Sequence, residues 1–215
     1  MAMAEHDDRH RLAHWLSLIR GPALIGPADV VFPRRAQAIG EMQAAGAERL
    51  FPLLQPMLSD PDPAVRLAGC EALFFVDARR ALELALPLLA DPESEIRWFL
   101  CGCLPYSRDE RAIGPLLRVL KEDSSAQVRG AAAYSLGRIG SPATIPALLE
   151  ALDSDHEPDM HGHSASSHAA TALDNILGAD ETRSRRSGAP DLDRLRRLAA
   201  ERFEQWSRDR AEPGT

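Results

Sequence analysis

Asp123-Ser-Ser-Ala-Gln-Val-Arg129-Gly-Ala-Ala-Ala-Tyr-Ser-Leu136 aligns without a gap to two earlier stretches of the same chain. These are Asp60-Pro-Asp-Pro-Ala-Val-Arg66-Leu-Ala-Gly-Cys-Glu-Ala-Leu73 and Asp91-Pro-Glu-Ser-Glu-Ile-Arg97-Trp-Phe-Leu-Cys-Gly-Cys-Leu104. Leu73 to Leu104 is 31 residues and Leu104 to Leu136 is 32. Self-similarity at such a period marks a repeat architecture, in which each unit is one supersecondary element. Two weaker copies extend the pattern. Ile39-Gly40 matches Leu136-Gly137, and Ser-His168-Ala-Ala-Thr-Ala-Leu173 follows Leu136 after 37 residues, about five more than the period allows. Leucine-rich segments lie between the copies: Leu50-Phe-Pro-Leu-Leu54, Leu84-Ala-Leu-Pro-Leu-Leu89, Ile113-Gly-Pro-Leu-Leu117 and Ile145-Pro-Ala-Leu-Leu149.

Helical spacing governs both halves of the unit. Val128, Ala131, Ala132, Ser135 and Leu136 share one helix face; Ile145, Leu148, Leu149 and Leu152 share another. Gly137 and Gly140 end the first helix, and Pro142 falls where a helix start tolerates it. A lone hairpin of this kind cannot bury its apolar face, but stacked neighbours can. Each unit is therefore predicted to be two antiparallel helices in an all-α solenoid.

These in-phase copies resemble HEAT repeats, of the short phycobilisome-lyase-like subtype. The resemblance covers residues 30–178 and implies a right-handed, armadillo-like superhelix of about five hairpins. It also implies a role for three pairs spaced six apart: Asp60 and Arg66, Asp91 and Arg97, Asp123 and Arg129. In HEAT proteins such residues form a structural ladder between adjacent repeats. Ser166 stands where the last arginine belongs, so the ladder is expected to end there.

A solenoid needs its end units capped. Residues 1–29 are read as a capping helix carrying Leu12, Trp15, Leu16 and Ile19, and 179–190 as a polar linker. Residues 191–215 are read as a second capping helix and tail with Leu192, Leu195, Leu198, Phe203 and Trp206. Three cysteines make no disulfide framework, no apolar run approaches the length of a membrane span, and the N-terminus does not read as a signal peptide. A soluble cytoplasmic protein is expected.

The 215 residues carry a net charge of −7; residues 1–180 hold 16 basic against 25 acidic side chains. Affinity for nucleic acid rests largely on neutralising phosphates, so a DNA or RNA partner is disfavoured. Gly-x-Ser-x-Gly, Gly-Lys-Ser/Thr and Gly-x-Gly-x-x-Gly are all absent. No catalytic residue and no cofactor are therefore assigned.

Two constellations remain. His156, Asp159, His161, His163 and His168 lie in or beside the insertion and are ligand types for a divalent first-row metal, although their spacing matches no established site. The HEAT-repeat di-iron hydroxylases carry His-Glu directly after the repeat arginine. Here Leu67-Ala68, Trp98-Phe99, Gly130-Ala131 and Ser167-His168 occupy those positions, which excludes that site. The second constellation is aromatic. Trp98 and Tyr134, with Leu67, Gly102 and Gly130, are predicted to form a shallow, glycine-lined groove, the kind of surface that anchors protein partners.

The chain thus reads as a non-catalytic interaction, scaffold or regulatory module for a protein partner. The alternative is an enzyme on the same scaffold: metal-dependent through the histidine-rich loop, phycobilin-lyase-like, or alkylpurine-DNA-glycosylase-like. Cys70, Cys101 and Cys103 are read as small buried hydrophobes.

Overall fold

The computed structural model describes residues 2–19, 33–178 and 191–211, with side chains from residue 10 and again from residue 36. Among them are ten α-helices and no strand beyond one isolated bridge pair. The chain divides into two compact units, Met1–Arg108 and Asp109–Thr215. The proposed linker at 179–190, and residues 20–32 and 212–215, lie outside the described residues. No described helix is long and apolar enough to cross a membrane.

The first unit opens with α1 (Ala2–Ile19), which packs on α2 (Pro33–Ala45), α3 (Ala47–Leu54) and α4 (Pro63–Ala85). Leu12 and Trp15 are buried, and the Trp15 indole N–H donates to the Glu41 carboxylate at 2.7 Å. That bond satisfies the one polar atom of an otherwise apolar anchor. α1 therefore sits where the capping helix is expected, with Leu16 half-buried beside it.

α4 contains two helices of the repeat joined end to end. Asp77 breaks the helical backbone with φ −159 and ψ 95, and its carboxylate accepts the amides of Arg79 and Arg80. The chain thereby leaves one helix and caps the next at the same residue. The leucine-rich helices then end in a single 3₁₀ turn, over Gln55–Ser59 and Leu86–Ala90, each with a proline at its start. α5 (Ser94–Cys103) closes the unit. Cys70 and Cys101 are fully buried and Cys103 half-buried; burial pushes the Cys70 and Cys103 thiols up, which disfavours the thiolate.

The second unit comprises α6 (Ile113–Glu122), α7 (Ala126–Ile139), α8 (Ile145–Ser154), α9 (Ala165–Leu177) and α10 (Leu192–Ala211). Its core joins Leu116, Val128, Leu136, Ile145, Leu148 and Leu173. Gly140 ends α7 in the left-handed conformation, φ 75, as the Gly137/Gly140 pattern requires. α10 buries Leu195 and Ala199 against α8 and α9, and Arg196 pairs with Asp153 at 2.7 Å. It covers the last repeat as a cap should.

Candidate functional site

Each repeat arginine is held in a recurring set of bonds. Arg66 binds both carboxylate oxygens of Asp91, through Nε at 2.8 Å and Nη2 at 2.9 Å, while Nη1 donates to the main-chain carbonyl of Asp60. Arg129 repeats the geometry: Nε and Nη2 bind Asp155, and Nη1 binds the Asp123 carbonyl at 3.0 Å. Arg97 reaches its own Asp91 carbonyl at 2.8 Å. The aspartates contribute on their own side too: Asp91 accepts the Glu93 amide and Asp123 the Ser125 amide, both at 2.9 Å. Burial works against the Asp91 carboxylate, but the Arg66 guanidinium overrides it and holds it below the usual carboxylate range. All six residues of the expected ladder are hydrogen-bonded within the chain.

Asp155 takes the place of the ladder aspartate in the last copy, binding Arg129 as Asp91 binds Arg66. The copy's missing arginine is replaced twice. The Ser166 amide donates to the Asp155 carbonyl at 2.8 Å, and its buried hydroxyl donates to the Leu152 carbonyl at 2.7 Å.

Asp159 organises the loop between them. Its carboxylate accepts the amides of His161 and His163 at 2.8 and 2.9 Å, and its amide donates to the His163 carbonyl at 2.6 Å. Burial pushes this carboxyl up, yet the two amides bring it below its ordinary value. Gly162 takes φ 80 to close the turn, Pro158 bridges Ser164, and Ser164 caps α9 in a reciprocal capping box with Ser167.

His168 leaves this loop on the first turn of α9 and lies against Gly130 of α7. A Cβ at Gly130 would stand 2.7 Å from the imidazole Cδ2, so a larger residue there would displace the ring from its seat. Tyr134 meets His168 edge-on, centroids 6.3 Å apart, and His163 lies 5.7 Å from it. Burial, then the nearby His163, lowers the basicity of His168.

The expected aromatic groove is therefore altered at Gly130. The hollow predicted there is filled by His168, because the last repeat inserts a ring where Ala131 stands one copy earlier. Tyr134 stays 38% exposed beside it. Leu67, Trp98 and Gly102 are half-buried in the first unit, while Gly130 and Tyr134 belong to the second. Of the metal candidates, His163 and His168 come together; His156 instead lines a cleft with Arg129, and His161 is exposed. Among the described residues no three His, Cys, Asp or Glu side chains converge to hold an ion.

Sequence reasoning passed over two features. One is the packing role of Gly137, which lies inside α7 and not at its end: an added Cβ there would fall 2.5 Å from Ala172 Cβ, and Gly130 and Gly137, seven residues apart, let α7 and α9 approach closely, a spacing that was the available signal. The other is a cleft of about 640 Å³ beside Arg129, lined by residues of α6 and α8. It had no signal in local sequence.

A family model described as HEAT repeats matches residues 33–97 and 82–169. The chain is a HEAT-repeat protein. Its HEAT repeats thus span most of the region marked by the internal copies. Among solved structures, an engineered protein is 16% identical with a TM-score of 0.48, over 90% of this chain and 96% of that one. A designed armadillo repeat protein is 15% identical with a TM-score of 0.45, over 90% and 98%. No curated protein matches the sequence.

Proposed function

We propose that this HEAT-repeat chain is a non-catalytic interaction module that binds a protein partner. The carrying observation is Tyr134: an exposed aromatic held in place by His168, which is itself seated on Gly130. Ordered amphipathic rings of this kind supply contact area at small entropic cost. The ladder supports the same reading, since it engages the arginines that a phosphate-binding surface would need free. On the first unit, Trp98, Leu67 and Gly102 are proposed as a contact surface of their own. The short repeat length supports the phycobilisome-lyase-like subtype, and the protein's setting is proposed to be cytoplasmic.

The test is quantitative affinity capture from native lysate with the wild type, Tyr134→Ala and Trp98→Ala. At least one partner should fall about tenfold with Tyr134→Ala, the effect of losing one strong anchor. An unchanged partner list would remove Tyr134 from the surface.

One observation favours a second reading, a divalent metal at the loop: the His163 and His168 rings adjoin at 5.7 Å. Metal analysis of tag-free protein and of His163→Ala decides it, and a metal-free wild type ends that reading.

A further inference from the structure

The cleft beside Arg129 is built from one apolar and one charged side, both within the second unit. Leu117 and Leu120 of α6, with Ala147 and Ala151 of α8, give the apolar side. α6 brings its last turn to the cleft, and α8 runs along it from Pro146 to Ser154. The charged side holds three carboxylates, Glu150, Asp155 and Glu157, against two cations, Arg129 and Lys121.

Arg129 is already consumed. Its Nη2 binds Glu157 at 2.7 Å in addition to Asp155, and Nη1 holds the Asp123 carbonyl. An anion entering here would have to displace those acceptors. Glu150 and Lys121 are both exposed and neither enters an ion pair among the described residues, so the surplus carboxylate of the cleft is set by Glu157 and Asp155 sharing one arginine. Glu157, though bonded to Arg129, keeps its side chain 65% exposed. The unmatched charge of the cleft is negative, and it borders an apolar strip. A cation with a hydrocarbon stem and apolar neighbours complements both sides.

We infer that this cleft receives an arginine or lysine side chain, flanked by leucine-sized residues, from a peptide segment of a protein partner. The basic head lies at Glu150 and its stem along Leu120 and Ala151. This rests on the interaction-module reading and names the chemistry of the partner, at a surface separate from Tyr134.

The test is an amide NMR titration of the full ¹⁵N-labelled chain at low salt. Three probes are used: N-acetyl-Leu-Arg-Leu-amide, its glutamate counterpart N-acetyl-Leu-Glu-Leu-amide, and spermidine. The arginine peptide should shift Leu120, Ala147, Ala151 and Glu157, more strongly than either other probe. Glu150→Gln should weaken it about threefold, the scale of one exposed charge contact. Ala147→Leu, which fills the apolar side, should abolish the shifts while circular dichroism stays unchanged. Equal shifts with the glutamate peptide, shifts elsewhere, none at all, or no effect of Glu150→Gln would overturn the inference. Spermidine binding as strongly would assign the cleft to a free polyamine and overturn the peptide. Lysate capture with Tyr134→Ala reads a different surface, so either result can fail without the other.

Discussion

Arg66 makes four hydrogen bonds to acceptors from two repeats: two to the Asp91 carboxylate, one to the Asp60 carbonyl and one to the Pro61 carbonyl. The Asp91 side chain is 3% exposed. Replacing Arg66 by Met leaves that carboxylate buried without its counter-charge, which costs about 3 kcal/mol in comparable pairs. Denaturant unfolding should show this loss, larger than for Arg80→Met, whose pair with Glu48 is exposed. Asp91 and His168 act on the pH response with one sign. Asp91 is held below its ordinary value, so its contribution is complete above about pH 4 and is lost as acid protonates the folded form. His168 is also lowered; below about pH 6.5 the unfolded chain takes up a proton that the folded chain resists, so stability falls on acidification. Thermal melts between pH 7.5 and 5.5 should show a decline that His168→Gln flattens. Arg108 is a residue of another kind, the one non-glycine with positive φ (52) among the described residues. It aligns with Gly140 of the next copy, so Arg108→Gly should raise stability by up to about 1 kcal/mol, the strain of a side chain in that conformation.

At the level of elements, the α7–α9 pair depends on missing side chains. Gly137→Ala improves helix propensity by about 1 kcal/mol, yet places a methyl against the Ala172 backbone. Overpacking wins: the variant should lose about 2 kcal/mol by denaturant titration, whereas Gly114→Ala, with nothing within 4 Å, should gain. The helices themselves were legible in the sequence because alternating amphipathic stripes and breakers repeat in phase. Leu136, Ile145, Leu148 and Leu152 are all buried as the periodicity predicts. Asp77 was less legible. No glycine or proline marks the break inside α4, and only the carboxylate's bonds to two later amides reveal it. His168 was legible as a residue but not as a neighbour, since its seat on Gly130 joins positions 38 apart in the chain.

For the molecule as a whole, stability in a repeat array comes from each unit covering the next, so the ends carry a load that interior units share. α10 performs that service in the second unit through Leu195 and Ala199. Leu195→Asp should undock it, lowering the melting temperature by several degrees and raising self-association, read by calorimetry and light scattering. The site was less legible than the fold for a plain reason. Periodicity reports which faces are buried, while the cleft beside Arg129 lies between α6 and α8, whose separation the local pattern does not encode.

The loop between Asp155 and Ser164 carries a consequence of its own. In the other copies the aspartate carbonyl is tied by an arginine fixed at a set distance along the helix; here a backbone amide at Ser166 takes that place. Glu157 and His163 tie the two sides of the excursion to Arg129 and His168, and Asp159 closes the turn between them. Met160, 78% exposed at its tip, marks a position where foreign sequence could be spliced in, or an epitope displayed, without disturbing the register of the array.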